Sequence, residues 1–230
     1  MLAEDIALNG MKVIQINTDG ILVDCPKDKR ATLDSLCNQW MEFTQLKLDY
    51  DFFEIVAQRD VNNYLGKMTN GKIKLKGAYE ILKDYHKNHS MQIVSQAVVD
   101  YFIKGIPVEK TIRECKDIYK FCLGVKSPSN ASFEARRAYK GEIEIVKLNK
   151  TNRYYISNNG YYLYKINNSS TEKLHNYTDT KHPVTFKITP FNKYFESEDY
   201  DICYGFYIYE ANKLISAIET TQLSLFYYEL

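Results

Sequence analysis

Residues 11–24 read MKVIQINTDGILVD, two apolar, β-branched runs, Met11–Ile16 and Ile21–Asp24, around Asn17-Thr18-Asp19-Gly20. Asp-Gly is a strong signal for a type I′ turn, whose two central residues both need φ > 0. The stretch therefore predicts a tight antiparallel hairpin with the Asp19 carboxylate at its tip. A carboxylate held there by backbone pairing on both sides is exposed and well placed to bind a metal ion. The same residues would also serve as nothing more than a good turn.

Outward from the hairpin, the next segment predicts a helix, because Leu33, Leu36, Trp40, Phe43 and Leu46 recur at steps of three and four. Strands are expected at Phe52–Gln58 and Asn63–Lys67, then at Lys72–Lys76 beyond an Asn70-Gly71 turn. Character changes near residues 86–90. Ser90 is an expected N-cap for a helix presenting Ile93, Val94, Ala97, Val98, Tyr101 and Phe102, stopped at Gly105. Pro107 is placed to open a helix over Val108–Phe121. Val125–Arg137, with its Ser-Pro-Ser-Asn, reads as a loop. Strands are expected at Glu142–Leu148, Arg153–Ser157 and Tyr161–Ile166, the last two joined by Asn158-Asn159-Gly160. Thr171–Pro183 reads as loop, Val184–Ile188 as a short strand, and about Asp201 to Ile218 as a final helix. The pattern predicts an α+β protein: an antiparallel hairpin and sheet with a packed helix over residues 1–88, then a helical-plus-strand domain over 89–230.

Composition bounds the rest. Hydrophobic residues make up 45% and charged residues 26% of 230, ordinary values for a folded protein with a core. No run of about 20 apolar residues is present. Glu4 and Asp5 precede the only short apolar stretch of Met1–Asn9, which is wrong for a secretory signal. The five cysteines, Cys25, Cys37, Cys115, Cys122 and Cys203, lack CxxC spacing. They point away from zinc and from a disulfide framework, toward a reducing compartment such as the cytoplasm of a cell or an infected host. His86, His89, His175 and His182 have no ligand spacing.

Net charge is +1, unevenly spread: Arg59–Asn88 holds seven cations against three acids, and Phe191–Leu230 two against seven. Such asymmetry suggests a face meant for an anion. Lys72, Lys74 and Lys76 alternate with Ile73 and Leu75, so three ammonium groups share one strand face about 6.6 Å apart, comparable with phosphates along DNA. Lys67 and Lys83 flank them, and no acid interleaves from Met68 to Tyr79. Contacts of this type hold a duplex without reading its sequence. Lysines on a solvated edge strand, discouraging aggregation, would look the same. The tyrosines Tyr154, Tyr155, Tyr161, Tyr162 and Tyr164 could stack on bases, but their strands favour core and cross-strand packing. Arg153 beside them is a candidate phosphate contact.

The order of these features resembles the carboxyl-terminal part of a family B DNA polymerase of the phage kind. Val13–Val23, VIQINTDGILV, resembles motif C, with its Asp-Thr-Asp at a palm hairpin turn. Phe53–Gly66, FEIVAQRDVNNYLG, resembles the strand bearing a Lys-x-Tyr element, and Ile73–Gly77, IKLKG, the Lys-Gly element after it. Gln92–Glu109 resembles the opening thumb helices, and Lys147–Gly160, KLNKTNRYYISNNG, thumb sequence. The resemblance implies that residues 1–88 are palm and 89–230 thumb, serving two-metal nucleotidyl transfer in DNA replication with Mg²⁺. It implies Asp19 as catalytic metal ligand, and Asn62, Tyr64, Lys67, Lys72, Lys74, Lys76, Gly77 and Arg153 as primer-template contacts. Asn17 departs from motif C, and Asn62 from the lysine of Lys-x-Tyr.

Motif A and the fingers helix lie upstream of motif C in that family, and residues 1–10 hold neither. A fragment or split-polymerase subunit, inactive alone, is expected. Its partners would be primer-template duplex, deoxynucleoside triphosphates and an amino-terminal polymerase part, with no membrane. Two other readings stand beside it. One is a non-catalytic duplex-binding module derived from a thumb. The other is a relic of a haloacid-dehalogenase-like phosphatase, in which Asn17 would replace the nucleophilic aspartate and a βαβ rhythm is missing.

Overall fold

The structure, a computed structural model, describes residues 1–81, 89–174, 186–191 and 200–227, with side chains as far as residue 220. The fold is α+β with antiparallel strand pairing. It divides into two compact units, Met1–Lys74 and Leu75–Leu230.

The first unit opens with α1 (Leu2–Leu8), whose Leu2 and Ile6 lie one turn apart on a single face and are buried. They pack with Met11 and Cys37 into a small core. Lys29 Nζ donates to the carbonyls of Asn9 (3.0 Å) and Gly10 (2.8 Å), setting a cation at the carboxyl end of α1. Strands β1 (Lys12–Ile16) and β2 (Ile21–Asp24) form the expected hairpin, pairing Val13 with Val23 and Ile16 with Ile21. Helix α2 (Arg30–Thr44) follows, ended by Gln45 at φ 59°. Leu33, Leu36 and Trp40 pack on the core, but Phe43 is 87% and Leu46 59% exposed, against the expected stripe. Phe43 sits about 120° round the helix from buried Cys37, and the left-handed turn at Gln45 carries Leu46 off the helical face.

A three-stranded meander completes this unit: β3 (Phe53–Asp60), β4 (Asn63–Met68) and β5 (Ile73–Lys76) in that order, β5 crossing into the second unit. Ala57 and Leu65, opposite each other in register, are buried. Gly71, at φ 82°, makes the turn into β5, where Met68 N–H donates to Lys72 C=O at 2.8 Å.

In the second unit, α3 (Gln92–Lys104), α4 (Val108–Glu114) and α5 (Tyr204–Tyr227) pack on one another. Their apolar faces meet through Ile93, Ala97 and Val98 of α3, Val108 and Ile112 of α4, and Tyr207, Ala211 and Ile218 of α5. The strands are β6 (Leu123–Lys126), β7 (Ala131–Tyr139), β8 (Glu142–Lys147), β9 (Thr151–Ser157), β10 (Tyr162–Asn167), β11 (Thr171–Lys173) and β12 (Lys187–Pro190). They form two sheets, ordered β12-β9-β6 and β11-β10-β7-β8.

In the second compact unit, which begins at Leu75, Tyr79 is fully buried and Ser95 Oγ donates to the Ala78 carbonyl at 3.0 Å. Several expectations are corrected. Ser90 does not cap α3; its Oγ accepts from Gly124 N–H, and Met91 stands at the cap with φ 52°. The helix expected over Val108–Phe121 stops at Glu114, since Cys115 is extended and Asp117 accepts from Tyr119 N–H to begin a 3₁₀ turn at Ile118–Phe121. Val125–Arg137 is mostly strand: only Ser127–Asn130 loops, and Phe133 and Ala135 alternate inward.

Asn158-Asn159-Gly160 joins two sheets rather than a hairpin. The Asp201 carboxylate accepts from Asn158 Nδ2 (2.9 Å) and Asn159 N–H (2.7 Å), and α5 begins only at Tyr204. β11 lies within the expected loop Thr171–Pro183, of which residues 175–183 fall outside the described residues. The short strand runs over Lys187–Pro190, and residues 184–185 of the one expected also fall outside. Among the described residues no helix is long and apolar enough to cross a membrane.

Candidate functional site

The hairpin tip is built differently from the turn its sequence suggests. Neither Asp19 nor Gly20 has positive φ, so the turn is not type I′. Instead Asn17 N–H donates to the Gly20 carbonyl at 3.0 Å, and Asn17 Oδ1 accepts from Asp19 N–H at 2.9 Å. The Asn17 side chain closes an Asx turn, a local bond that an aspartate at 17 would make equally well. Asp19 is exposed. Among the described residues there is no group of three or more His, Cys, Asp or Glu able to hold a metal ion. The tip presents the Asp19 carboxylate, an oxygen donor of the kind that hard divalent cations prefer.

The lysine strand forms where expected, with a changed balance of charge. Lys72, Lys74 and Lys76 are exposed. Lys74 Nζ lies 2.7 Å from Asp51 Oδ2, and this carboxylate, with a smaller contribution from Tyr64, raises the Lys74 pKa above its usual value. Lys67 pairs with Glu54 at 2.6 Å. Lys72 and Lys76 have no ion-pair partner among the described residues, and Lys83 lies outside them. The opposite face packs less than expected: Ile73 is 42% exposed and Leu75 half-buried, because β5 is the edge of its sheet.

Exposed pairs such as Lys74–Asp51 are worth about 0–1 kcal/mol, so a phosphate can displace the carboxylate. Sequence reading missed both acids because they sit in the preceding segment, DYDFFE at 49–54, and reach the lysines only across the sheet. The signal was the acidity of that segment beside a basic one.

Asn62 is exposed in the β3–β4 turn, where its N–H donates to Asp60 Oδ1 at 2.9 Å. Asp60 also accepts from Asn63 Nδ2 (2.8 and 3.0 Å) and Arg59 Nε (2.8 Å). Led by the Asn63 contact, these bonds pull its pKa down to about 2. Tyr64 is half-buried opposite Gln58. Gly77, at φ 67°, lets β5 turn into the 3₁₀ turn Gly77–Tyr79.

Arg153 belongs to the second unit, on β9, with its guanidinium 5.2 Å from the Tyr119 ring centre. Of the neighbouring tyrosines, Tyr154 and Tyr155 are buried, whereas Tyr162 and Tyr164 are half-buried on the sheet β11-β10-β7-β8. His89 Nδ1 is 3.0 Å from Gln92 Nε2; His86, His175 and His182 lie outside the described residues. The cysteines are free thiols, and burial pushes Cys122 up to about 12.

Comparisons with families of known proteins, with curated proteins and with solved structures find no match to this chain.

Proposed function

We propose that the chain is part of a DNA-directed DNA polymerase of the family B kind. Asp19 supplies one metal-binding carboxylate, and the lysine strand grips primer-template duplex. The observation that carries this reading is an exposed aspartate at a hairpin tip, followed along the chain by a strand with three exposed lysines. The order of elements follows the resemblance: hairpin, helix, sheet and lysine strand, then a helical-plus-strand unit.

In this reading Mg²⁺, when bound, neutralises charge on the transferring phosphoryl group, and further ligands come from another segment or chain. This chain's own residues hold and orient DNA. Lys72 and Lys76, roughly 13 Å apart along the strand, offer ammonium groups to alternate phosphates, and Lys74 takes the phosphate between them as it exchanges Asp51 for it. Gly77 ends the strand without a side chain.

A second reading, a non-catalytic duplex-binding module, is favoured by one observation: position 17 carries a neutral amide, bonded to Asp19 N–H, where motif C has a carboxylate. The antiparallel sheets lend nothing to a phosphatase with a βαβ core.

The test common to the first two readings is duplex binding against salt. Log affinity should fall linearly with log salt, by roughly 0.9 per phosphate neutralised. Replacing Lys72, Lys74 and Lys76 with Ala should lower affinity equally across sequences and reduce that slope by up to about 3. An unchanged slope in the triple variant would make the strand a solvated edge. Primer extension by this chain mixed with a candidate amino-terminal partner, and absent from either alone, separates the catalytic reading from the other.

A further inference from the structure

The sheet β11-β10-β7-β8 turns one face to its core and one to solvent. Phe133 and Ala135 of β7 and Leu163 of β10 point inward and are at most 4% exposed. Register places Arg136 opposite Tyr162 across β7 and β10, and Lys173 of β11 opposite Tyr164. These four share the outward face with Ile143 and Ile145 of the edge strand β8, 72% and 49% exposed. Each ring already has a cation over it: Lys173 Nζ is 3.5 Å from the Tyr162 ring centre, and the Arg136 guanidinium 4.9 Å from that of Tyr164.

We infer that this face is a binding platform for single-stranded nucleic acid, with bases on Tyr162 and Tyr164 and phosphates on Lys173, Arg136 and Lys147. Alternate residues of one strand stand about 6.8 Å apart, close to the rise per nucleotide of an extended single strand. Two rings at that spacing accept successive bases, as sequence-tolerant platforms do. Charge agrees with a polyanion. Among the described residues the one acid that the strand register places on this face with Arg136, Lys147 and Lys173 is Glu134, and it is held by Arg136 at 2.7 Å. Lys147 has no ion-pair partner among the described residues and is exposed. A bound strand would draw each cation a short distance from ring to phosphate, uncovering the ring for the base. A duplex, whose bases are already stacked, gains nothing from the rings.

The inference stands apart from the polymerase reading, since it uses none of the residues proposed there. The experiment is fluorescence anisotropy of the full chain with a labelled oligothymidylate of about twelve nucleotides and with a duplex of equal length. In Tyr162→Leu/Tyr164→Leu, which keeps apolar bulk on the strand, single-strand affinity should fall roughly five-fold or more per ring, with duplex affinity unchanged. Lys147→Gln/Lys173→Gln should reduce the salt slope for the single strand by up to about 1.4, at roughly 0.7 per phosphate. Circular dichroism of both variants controls for the fold. Single-strand affinity untouched by the tyrosine pair, no single-strand binding at all, or self-association of the chain abolished by Ile143→Lys would each overturn the inference, the last by making the face a protein interface.

Discussion

Behind its hairpin the first unit gathers four buried side chains, Leu2, Ile6, Met11 and Cys37, ringed by half-buried ones. The second unit is built on interlocked aromatic rings. Phe121 and Phe206 each lie edge-on to Tyr207 at 5.1 Å, and the Tyr207 hydroxyl accepts from Ile156 N–H and donates to the Phe121 carbonyl, both at 2.8 Å. Burial pushes that phenol's pKa well above its usual value, so it stays a neutral donor throughout the working range. The candidate catalytic chemistry sits on the lighter frame, on side chains that touch little. Substitutions at the first unit's site should therefore alter activity and leave stability nearly unchanged. Substitutions at the joints of the second should do the reverse.

The sharpest way to break that contrast is Asp19→Ala. In an enzyme reconstituted with its amino-terminal part, primer extension should drop by several orders of magnitude, because a metal ligand is removed. Duplex affinity should change far less, and the midpoint of urea unfolding by no more than the equivalent of about 0.5 kcal/mol. Near wild-type extension would reduce the hairpin to a turn.

The converse test is Gly160→Ala in the second unit. A Cβ there would stand 2.2 Å from the Ile188 carbonyl oxygen and 2.3 Å from Ser157 Oγ, where β9 and β12 meet. Chemical denaturation should show a loss of about 3 kcal/mol, since backbone must move. A loss under 1 kcal/mol would mean that this joint is as forgiving as the first unit's surface.

The smallest effect belongs to Asp60. Its folded pKa of about 2 lies below the ordinary 3.8, so its stabilisation is fully present above pH 4 and is lost as pH falls through about 2. Asp60→Ala should cost about 1 kcal/mol at neutral pH. The gap between variant and wild type, followed by denaturation at falling pH, should close by about pH 2. A gap that persists there would assign the loss to strand propensity rather than to the carboxylate.

Much of the architecture was legible where local pattern and tertiary need agree. The hairpin at 11–24, the helix through Trp40, the β3–β5 meander and α3 up to Gly105 all declared themselves by periodicity and turn residues. Reading failed where a polar side chain had two uses. Ser90 could cap a helix, but it serves the Gly124 amide instead. Asp117 could sit inside a helix, but it caps a new turn and breaks one. Ser127–Asn130 hid a nine-residue strand behind a four-residue loop. The type I′ geometry expected at Asp19-Gly20 occurs instead at Lys140-Gly141, with φ 52° and 86°, between β7 and β8.

The sequence by itself determined the alternation of β5, hence three lysines on one strand face, and the exposure of an aspartate at a hairpin tip. Both follow from the two-residue period and from the turn, which are properties of adjacent residues. Only the tertiary structure decided that Asp51 and Glu54 neutralise two of the neighbouring lysines, and that Tyr154 and Tyr155 are buried. The same holds for Tyr162 and Tyr164, which face outward beneath cations. Those outcomes depend on which strands pair and in what register, and a one-residue shift of register would exchange every inward side chain for an outward one.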